Sequence, residues 1–397
     1  MPVMSPPRTA IVTPGIERLL TTERRLVDGR RVGLLCNPAS IDGSFRPTAD
    51  RLFDDGGLTL AAIFGPQHGF RADLQDNMIE TPHSRDDRRR VPVFSLYSEV
   101  REPSAEMLDG LDALVVDIQD VGTRVYTFIY TVANCMRAAA RRGIPVIVCD
   151  RPNPINGHDV EGSLLDERYA SFVGQFPIPL RHGMTVAELA QMFNTAFAIG
   201  AELHVVAMEG WRREMFYDET SLAWVMPSPN IPTLDTAIVY PGAVLFEGTQ
   251  LSEGRGTTRP FELIGAPWID GEALAEAMNA RDLAGVHFRP VFFEPTFQKH
   301  AKQTCGGCQL HVLDRPAFKP VRTAVELIEE FHRQAPSRFA WREPPYEYEK
   351  DRMPIDILYG SDQLRTAVAA GTVAALIEGW AADEEAFRRL RTPFLLY

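Results

Sequence analysis

Chemically active side chains follow three predicted strands in the first half of the chain. They lie in residues 65–71, 117–126 and 150–154, where loops usually carry glycine, serine and asparagine. Carboxylate, imidazole and guanidinium groups can transfer protons or bind anions. The side chains concerned are His68, Arg71, Asp117, Asp120, Arg124, Asp150 and Arg151.

Two later segments carry groups of the same kind. Arg181 and His182 precede a predicted helix, whose first N–H groups favour an anionic ligand. In residues 247–257, Glu253 lies two positions before Arg255, and glycines flank the arginine on both sides. Glycine-rich backbone lets a ligand approach closely and can form an anion-binding nest.

Each of these residues also has a purely structural explanation. Aspartate–arginine pairs often fasten loops, a single histidine is often an ordinary hydrogen-bond partner, and residues 247–257 could be a turn tied by a Glu–Arg pair. Three polar loops that follow strands of one sheet nevertheless favour a binding or catalytic site.

The elements that must position these groups predict an α/β fold. Short apolar runs at 31–36, 58–64, 91–95, 113–117, 144–149 and 203–207 are continuous rather than alternating. They are separated by predicted helices at 47–54 and 127–142, and another helix begins after Thr185, which forms a capping box with Glu188. This pattern predicts a Rossmann-like, doubly wound parallel sheet, with ligands at the carboxyl ends of its strands.

A second, smaller domain of mixed α+β type is predicted after a proline-rich passage at 226–232. It contains predicted strands at 287–293 and 309–313 and predicted helices at 324–333 and 364–390. The predicted domains are therefore residues 1–238 and 239–397.

The composition of the chain limits the classes of partner that it is expected to bind. The 397 residues carry a formal net charge of −12 and five cysteines. An acidic chain does not attract nucleic acid or anionic membranes, and no segment resembles a signal peptide or a membrane span. We therefore expect a cytoplasmic protein without a disulfide framework, whose oligomeric state the sequence does not fix.

Cofactor motifs are absent from the sequence. Residues 37–43 contain no G-x-G-x-x-G, and neither a Walker A sequence nor a G-x-S-x-G elbow occurs. Cys305 and Cys308 form a single C-x-x-C without a second pair, which disfavours structural zinc. We therefore expect no cofactor and no metal.

Six motifs in a fixed order resemble the NamZ-type exo-β-N-acetylmuramidases over nearly the whole chain. They begin at Gly65 (Gly-Pro-Gln-His-Gly), Asp117 (Asp-Ile-Gln-Asp-Val-Gly-Thr-Arg-Val-Tyr-Thr), Asp150 (Asp-Arg-Pro-Asn-Pro), Pro179 (Pro-Leu-Arg-His-Gly-Met-Thr), Pro227 (Pro-Ser-Pro-Asn-Ile-Pro-Thr) and Ser252 (Ser-Glu-Gly-Arg-Gly-Thr-Thr-Arg-Pro-Phe-Glu).

The resemblance implies an active site in the cleft between a Rossmann-like domain and a smaller domain. It also implies removal of N-acetylmuramic acid, or a related amino sugar, from the non-reducing end of peptidoglycan fragments. The expected substrate is thus a carbohydrate, and its lactyl carboxylate would be bound by arginine. On this basis we assign substrate binding to Gln67, Arg71, Arg124, Tyr126, Arg151, Asn153, Arg181, His182, Asn230 and Arg255.

One departure from the family pattern affects catalysis. The resemblance implies a catalytic glutamate where this chain has Gln67, and an amide cannot donate the required proton. We therefore predict Glu253 as the acid/base, Asp120 as the partner carboxylate and His68 as a positioning group, with Glu80 as another available carboxylate. The alternatives are a sugar- or muropeptide-binding protein that has lost catalysis and, less favoured, a Rossmann oxidoreductase.

Overall fold

The computed structural model describes residues 10–72 and 79–397. Its central sheet has seven strands in the order β3-β4-β2-β1-β5-β6-β9. Two further strands, β7 and β8, form a hairpin. The nine strands are β1 (Arg31–Cys36), β2 (Thr59–Gly65), β3 (Ser84–Asp86), β4 (Val91–Ser95), β5 (Ala113–Asp117), β6 (Val146–Cys149), β7 (Glu161–Leu164), β8 (Pro179–Arg181) and β9 (Leu203–Val206).

The sheet has the strand order of a dinucleotide-binding Rossmann domain. Only β3 is antiparallel to its neighbour; when it is set aside, the six parallel strands are ordered 3-2-1-4-5-6 along the chain. The predicted α/β fold class is confirmed. The order reverses between β1 and β5, so their carboxyl ends border a crevice where ligands commonly bind.

Alternate residues of the central strands enter two different cores. In β5, Leu114 and Val116 pack in one core, and Ala113 and Val115 pack in the other. Both faces are covered because helices flank the sheet on each side, which explains the continuous apolar runs. These helices are α1 (Gly15–Leu19), α2 (Thr48–Phe53), α3 (Phe128–Arg142) and α4 (Val186–Thr195).

Helix α4 begins as predicted. The Thr185 side chain accepts a hydrogen bond from the Glu188 backbone N–H, and the Glu188 carboxylate accepts one from the Thr185 N–H. The capping box is therefore confirmed. It fixes the direction in which residues 179–184 approach the sheet.

The remaining chain forms a three-stranded antiparallel sheet and six helices. The strands are ordered β10-β12-β11. In chain order, the strands and helices of this part are α5 (Leu234–Ala243), β10 (Leu263–Ala266), α6 (Gly271–Asn279), β11 (Val286–Phe293), β12 (Cys305–Val312), α7 (Pro320–Gln334), α8 (Pro354–Tyr359), α9 (Gln363–Ala370) and α10 (Val373–Arg391). None of the helices in the described ranges is long and apolar enough to cross a membrane.

One sequence expectation is corrected in this half, and one segment gains a structural explanation. The single helix predicted at 364–390 is wrong, because Gly371 adopts φ +66° and separates α9 from α10. The Cys305–Cys308 segment lies inside β12, and Gly307 pairs with Gly265 of β10. A Cβ on Gly307 would lie 2.0 Å from the Ile264 carbonyl oxygen, so the glycines allow close strand approach.

The two halves are joined by contacts that cross between them. Helix α10 packs against the β7–β8 hairpin, where the backbone N–H groups of Gly162 and Leu164 donate to Glu384 and Asp383. The predicted boundary at residue 238 falls within α5. The division of the chain at this residue remains a proposal. Residues of both halves line the cavity described next.

Candidate active site

A cavity lies at the carboxyl edge of the large sheet, between the two halves of the chain. The turn after β2 contributes to one wall, where His68 and Gly69 adopt φ values of +70° and +77°. The opposite wall comes from the second half. The polar and aromatic lining residues are Gln67, His68, Tyr126, Thr127, Phe128, Ser228, Asn230, Tyr240, Glu247, Arg255, Phe261, Tyr346 and Glu347.

Five residues assigned from the sequence line this cavity. They come from four separate segments of the chain, as expected if strand-end loops and the glycine-rich segment converge. The five are Gln67, His68, Tyr126, Asn230 and Arg255.

Two of the predicted arginines lie elsewhere, in the protein interior. Arg124 is fully buried and donates to the carbonyl oxygens of Leu358 and Tyr359, at 2.9 and 2.6 Å. Arg151 donates to both carboxylate oxygens of Asp117, at 2.5 and 2.8 Å. Their guanidinium groups are occupied by protein atoms, which corrects the expectation that they line the cavity.

Four further predicted residues also lie outside the lining, and two of them are in or next to β8. Arg181 donates to the Ile155 carbonyl at 2.6 Å. Buried His182 accepts from the Met184 backbone N–H through Nδ1, and its Nε2 lies 3.6 Å from Asp120. Asn153 and Asp120 bond mainly to nearby backbone: the Asn153 amide donates to the Met184 carbonyl, and Asp120 accepts from the N–H of Gly122. Asp120 is therefore not placed to act as a partner carboxylate in this cavity.

The predicted acid, Glu253, is also outside the lining. It accepts a hydrogen bond from Lys299 at 2.8 Å and lies 3.3 Å from Arg255. Its side chain is 3% exposed. Glu253 thus neutralises and orients Arg255 instead of facing a substrate. Arg71 is exposed and Glu80 lies on the surface, and neither lines the cavity.

Glu347 is the carboxylic acid that lies beside Gln67. The Gln67 amide donates to Glu347 Oε1 at 3.2 Å, and the Tyr97 hydroxyl donates to Oε2 at 2.7 Å. Thr127 donates to the Gln67 carbonyl oxygen at 2.8 Å, which turns the amide NH₂ toward Glu347. A carboxyl group is therefore present within hydrogen-bond distance of the position where the family pattern expects one.

A second glutamate, Glu247, is held in a different environment. Arg255 donates to Glu247 Oε1 at 2.5 Å, and the Tyr346 hydroxyl donates to Oε2 at 2.7 Å. Both partners favour the ionised carboxylate.

The two glutamates therefore have pKa values shifted in opposite directions. Burial raises the pKa of Glu347 above its ordinary value, and the nearby charge of Glu247 adds to the rise against the hydrogen bonds from Tyr97 and Gln67. Burial also acts to raise the pKa of Glu247, but Arg255 and Tyr346 hold it below its ordinary value. Two carboxyl groups whose pKa values are shifted apart in this way are the arrangement that acid-assisted bond cleavage requires.

Arg255 offers the cavity a donor for an anion. Its Nη2 and Nε atoms face Glu247 and Glu253, whereas the buried Nη1 has no hydrogen-bond partner within the part of the chain that the structure describes. A buried guanidinium NH₂ at a cavity wall favours a ligand carboxylate or other acceptor.

Sequence reasoning missed both cavity glutamates. Glu247 is the first residue of the glycine-rich segment 247–257. Within that segment the sequence favours Glu253 as the acid, because Glu253 lies two positions before Arg255. Glu347 lies in Tyr346-Glu-Tyr-Glu, after Pro344-Pro, and is 280 positions from Gln67. Alternation of tyrosine and glutamate was the available signal. Within residues 10–72 and 79–397, no group of three or more histidine, cysteine, aspartate or glutamate side chains could hold a metal ion.

Comparison with known proteins gives matches over nearly the whole chain. Sequence models described as exo-β-N-acetylmuramidase NamZ, N-terminal and C-terminal, match residues 32–235 and 238–397. Peptidoglycan β-N-acetylmuramidase NamZ of Bacillus subtilis (strain 168) is 44% identical over 387 residues, which cover 97% of this chain and 91% of that protein.

Two solved structures from Bacteroides fragilis NCTC 9343 share the fold. Both are DUF1343 family proteins. One is 34% identical, with a TM-score of 0.88 and coverage of 99% of this chain and 100% of its own. The other is 27% identical, with a TM-score of 0.75 and coverage of 97% and 99%.

Proposed function

Since this chain belongs to the exo-β-N-acetylmuramidase NamZ family, we propose that it removes terminal N-acetylmuramic acid from the non-reducing end of peptidoglycan fragments. Family membership confirms the resemblance seen in the motifs. It also confirms the prediction that the protein is a glycoside hydrolase. Recycling of peptidoglycan fragments is the process that such a reaction serves.

Glu347 is the proposed proton donor, and its contact with Gln67 is the observation that carries this assignment. The carboxyl lies 3.2 Å from the Gln67 amide, and the raised pKa of Glu347 keeps a proton available. Glu347 protonates the glycosidic oxygen as the C1–O bond breaks, and the bonding electrons leave with that oxygen. Water then adds at C1 and releases a proton. This replaces Glu253 as the proposed acid.

Glu247 is the proposed ionised partner. Its charge, maintained by Arg255 and Tyr346, stabilises the positive charge that develops at C1 during bond cleavage. Glu253 supports the site indirectly, because it holds Arg255 in place and is itself fixed by a hydrogen bond from Lys299. His68 keeps its proposed positioning role at the wall of the cavity.

Arg255 is the proposed receptor for the lactyl carboxylate of the substrate. Of the five arginines assigned from the sequence, Arg255 is the one in the cavity lining, and its Nη1 has no hydrogen-bond partner among residues 10–72 and 79–397. Arg124, Arg151 and Arg181 bond to protein oxygens.

Three disaccharides test this function. We expect N-acetylmuramic acid to be released from a disaccharide that has this sugar at its non-reducing end, and no release when N-acetylglucosamine occupies that end. The methyl ester of the lactyl group should lower kcat/KM by about 10- to 100-fold, because a charge-assisted hydrogen bond contributes about 1.5–3 kcal/mol. Equal cleavage of all three, measured by chromatography of the products, would contradict the assignment.

Gln67 also supports a second candidate function, that of a sugar-binding protein without catalysis. This candidate predicts tight binding of the same disaccharide with no product after prolonged incubation. Calorimetric binding and product analysis on one protein preparation separate the two functions.

A further inference from the structure

A partly exposed aromatic cluster adjoins the cavity. Tyr348 is 48% exposed although its ring is fixed on several sides. The Arg101 guanidinium lies 3.9 Å from the centre of the Tyr348 ring. Tyr97 and Phe172 contact the same ring edge-on, with centroids at 5.9 and 6.5 Å. We refer to Tyr97, Arg101, Phe172 and Tyr348 as the Tyr348 cluster.

Three connections place this cluster at the rim of the cavity. Tyr348 directly follows Glu347, and Phe172 directly precedes Val173, which lines the cavity. Tyr97 donates its hydroxyl hydrogen bond to Glu347. Each connection comes from a different part of the chain, so the cluster is continuous with the wall that carries the proposed acid.

Tyr348 is held in place more firmly than an ordinary surface tyrosine. Its hydroxyl donates to Glu80 at 3.3 Å, and Arg101 lies 3.5 Å from the same carboxylate. Its backbone adopts φ +72°, which is uncommon for a bulky residue. A fixed, exposed aromatic ring beside a catalytic cavity provides a preorganised apolar surface, which is typical of a binding site rather than of a random exposed residue.

We infer that the Tyr348 cluster binds the leaving sugar, the residue on the reducing side of the bond that is cleaved. This inference rests on the proposed function, because it takes Glu347 as the proton donor. The donor must contact the glycosidic oxygen, so the leaving sugar lies against the residues that flank Glu347 on the solvent side. The C–H face of a sugar can pack on the exposed part of the Tyr348 ring, and Arg101 and Glu80 can bond its hydroxyl or acetamido groups.

Binding of an uncleavable substrate tests the inference without relying on turnover. The ligands are the sulfur-linked analogue of the disaccharide, which spans both positions, and N-acetylmuramic acid alone, which occupies the cavity only. Tyr348→Ala should weaken binding of the sulfur-linked disaccharide by roughly 5- to 20-fold, as expected for loss of an aromatic contact. Binding of the monosaccharide should change by less than about 2-fold. Tyr348→Phe is the matched control; it keeps the ring and should stay close to the wild type on both ligands.

The outcomes separate this inference from the proposed function. If Tyr348→Ala weakened binding of both ligands equally, Tyr348 would merely support Glu347. If binding of the disaccharide were unchanged, Tyr348 would contact no leaving sugar. Either result overturns the inference. A wild-type protein that binds neither ligand would contradict the proposed function itself.

Discussion

At the scale of single residues, the two cavity glutamates differ because their neighbours differ. Glu247 faces a guanidinium and a phenol that donates to it, so its pKa is lowered. Glu347 is buried against neutral donors and close to the charge of Glu247, so its pKa is raised. Identical side chains thereby have pKa values shifted in opposite directions, which is the pattern expected of a general acid and its ionised partner.

The first residue-scale prediction concerns Gln67→Glu. A second carboxyl group within about 3 Å of Glu347 would share its proton, because two adjacent carboxylates repel each other. The pKa of the donor should rise further, so the loss of activity at high pH should move to higher pH by about one unit or more. We expect the rate at the optimum to stay within about 10-fold of the wild type.

The measurement is kcat/KM for the muramic disaccharide across the pH range. Gln250→Glu is a matched control, because it adds the same charge at an exposed position and should leave the profile unchanged. A gain of more than about 100-fold in Gln67→Glu would instead mean that Gln67 disables an ancestral acid and that Glu347 is not the donor.

The sequence predicts residues of this site most directly where position along a strand determines their location. Gln67, His68 and Tyr126 follow strand ends, and the structure places them in the cavity. Arg124 and Arg255 are the same residue type in similar polar segments, and their difference depends on whether a backbone carbonyl or a cavity faces the guanidinium. That information arises from packing between distant segments, which one sequence does not contain.

At the scale of elements, strand-end loops were predictable and the contacts between the halves were not. Strands β1, β4 and β5 match the predicted runs because buried parallel strands are continuously apolar. The end of α8 makes a contact that the sequence does not predict. Its last carbonyl groups accept hydrogen bonds from Arg124, which belongs to the loop after β5. No local pattern links an arginine in one half to a helix end 234 positions away.

The element-scale prediction concerns Arg124→Met. Burial without a carboxylate partner lowers the pKa of Arg124 to about 10, yet its donors satisfy four carbonyl oxygens, of which those of Leu358 and Tyr359 lie across the junction. Leaving such acceptors unpaired costs about 1–3 kcal/mol per group, partly offset because a buried charge is removed. We expect the thermal unfolding midpoint to fall by roughly 5 °C.

Arg389→Met is the control for this change. Arg389 forms an exposed pair with Glu385, with side chains 69% and 56% exposed, so its loss should barely shift the midpoint. An unchanged midpoint in Arg124→Met together with lost disaccharide binding would instead support the substrate-binding role expected from the sequence.

At the scale of the whole molecule, the proposed catalytic group is assembled from both halves. Glu347 comes from the second half, whereas Gln67 and Tyr97, which orient its carboxyl, come from the first. The cavity therefore exists only when the halves are packed together, and the rigid junction around Arg124 maintains the distance between donor and substrate. The fold class could be predicted from the order of apolar runs, but this assembly across the junction depends on three-dimensional packing.

The most direct test of the account is the activity of Glu347→Gln on two leaving groups. One substrate carries the natural sugar, and the other carries 4-nitrophenol, which departs without being protonated. We predict that kcat falls by about 10²–10⁴-fold for the sugar leaving group and far less for 4-nitrophenol, because only the first needs the proton of Glu347. Glu253→Gln, measured beside it, should reduce both rates by similar factors, because it acts only through Arg255. If Glu347→Gln retained full activity on the sugar substrate while Glu253→Gln lost it selectively, Glu253 would be the proton donor and the central claim would be contradicted.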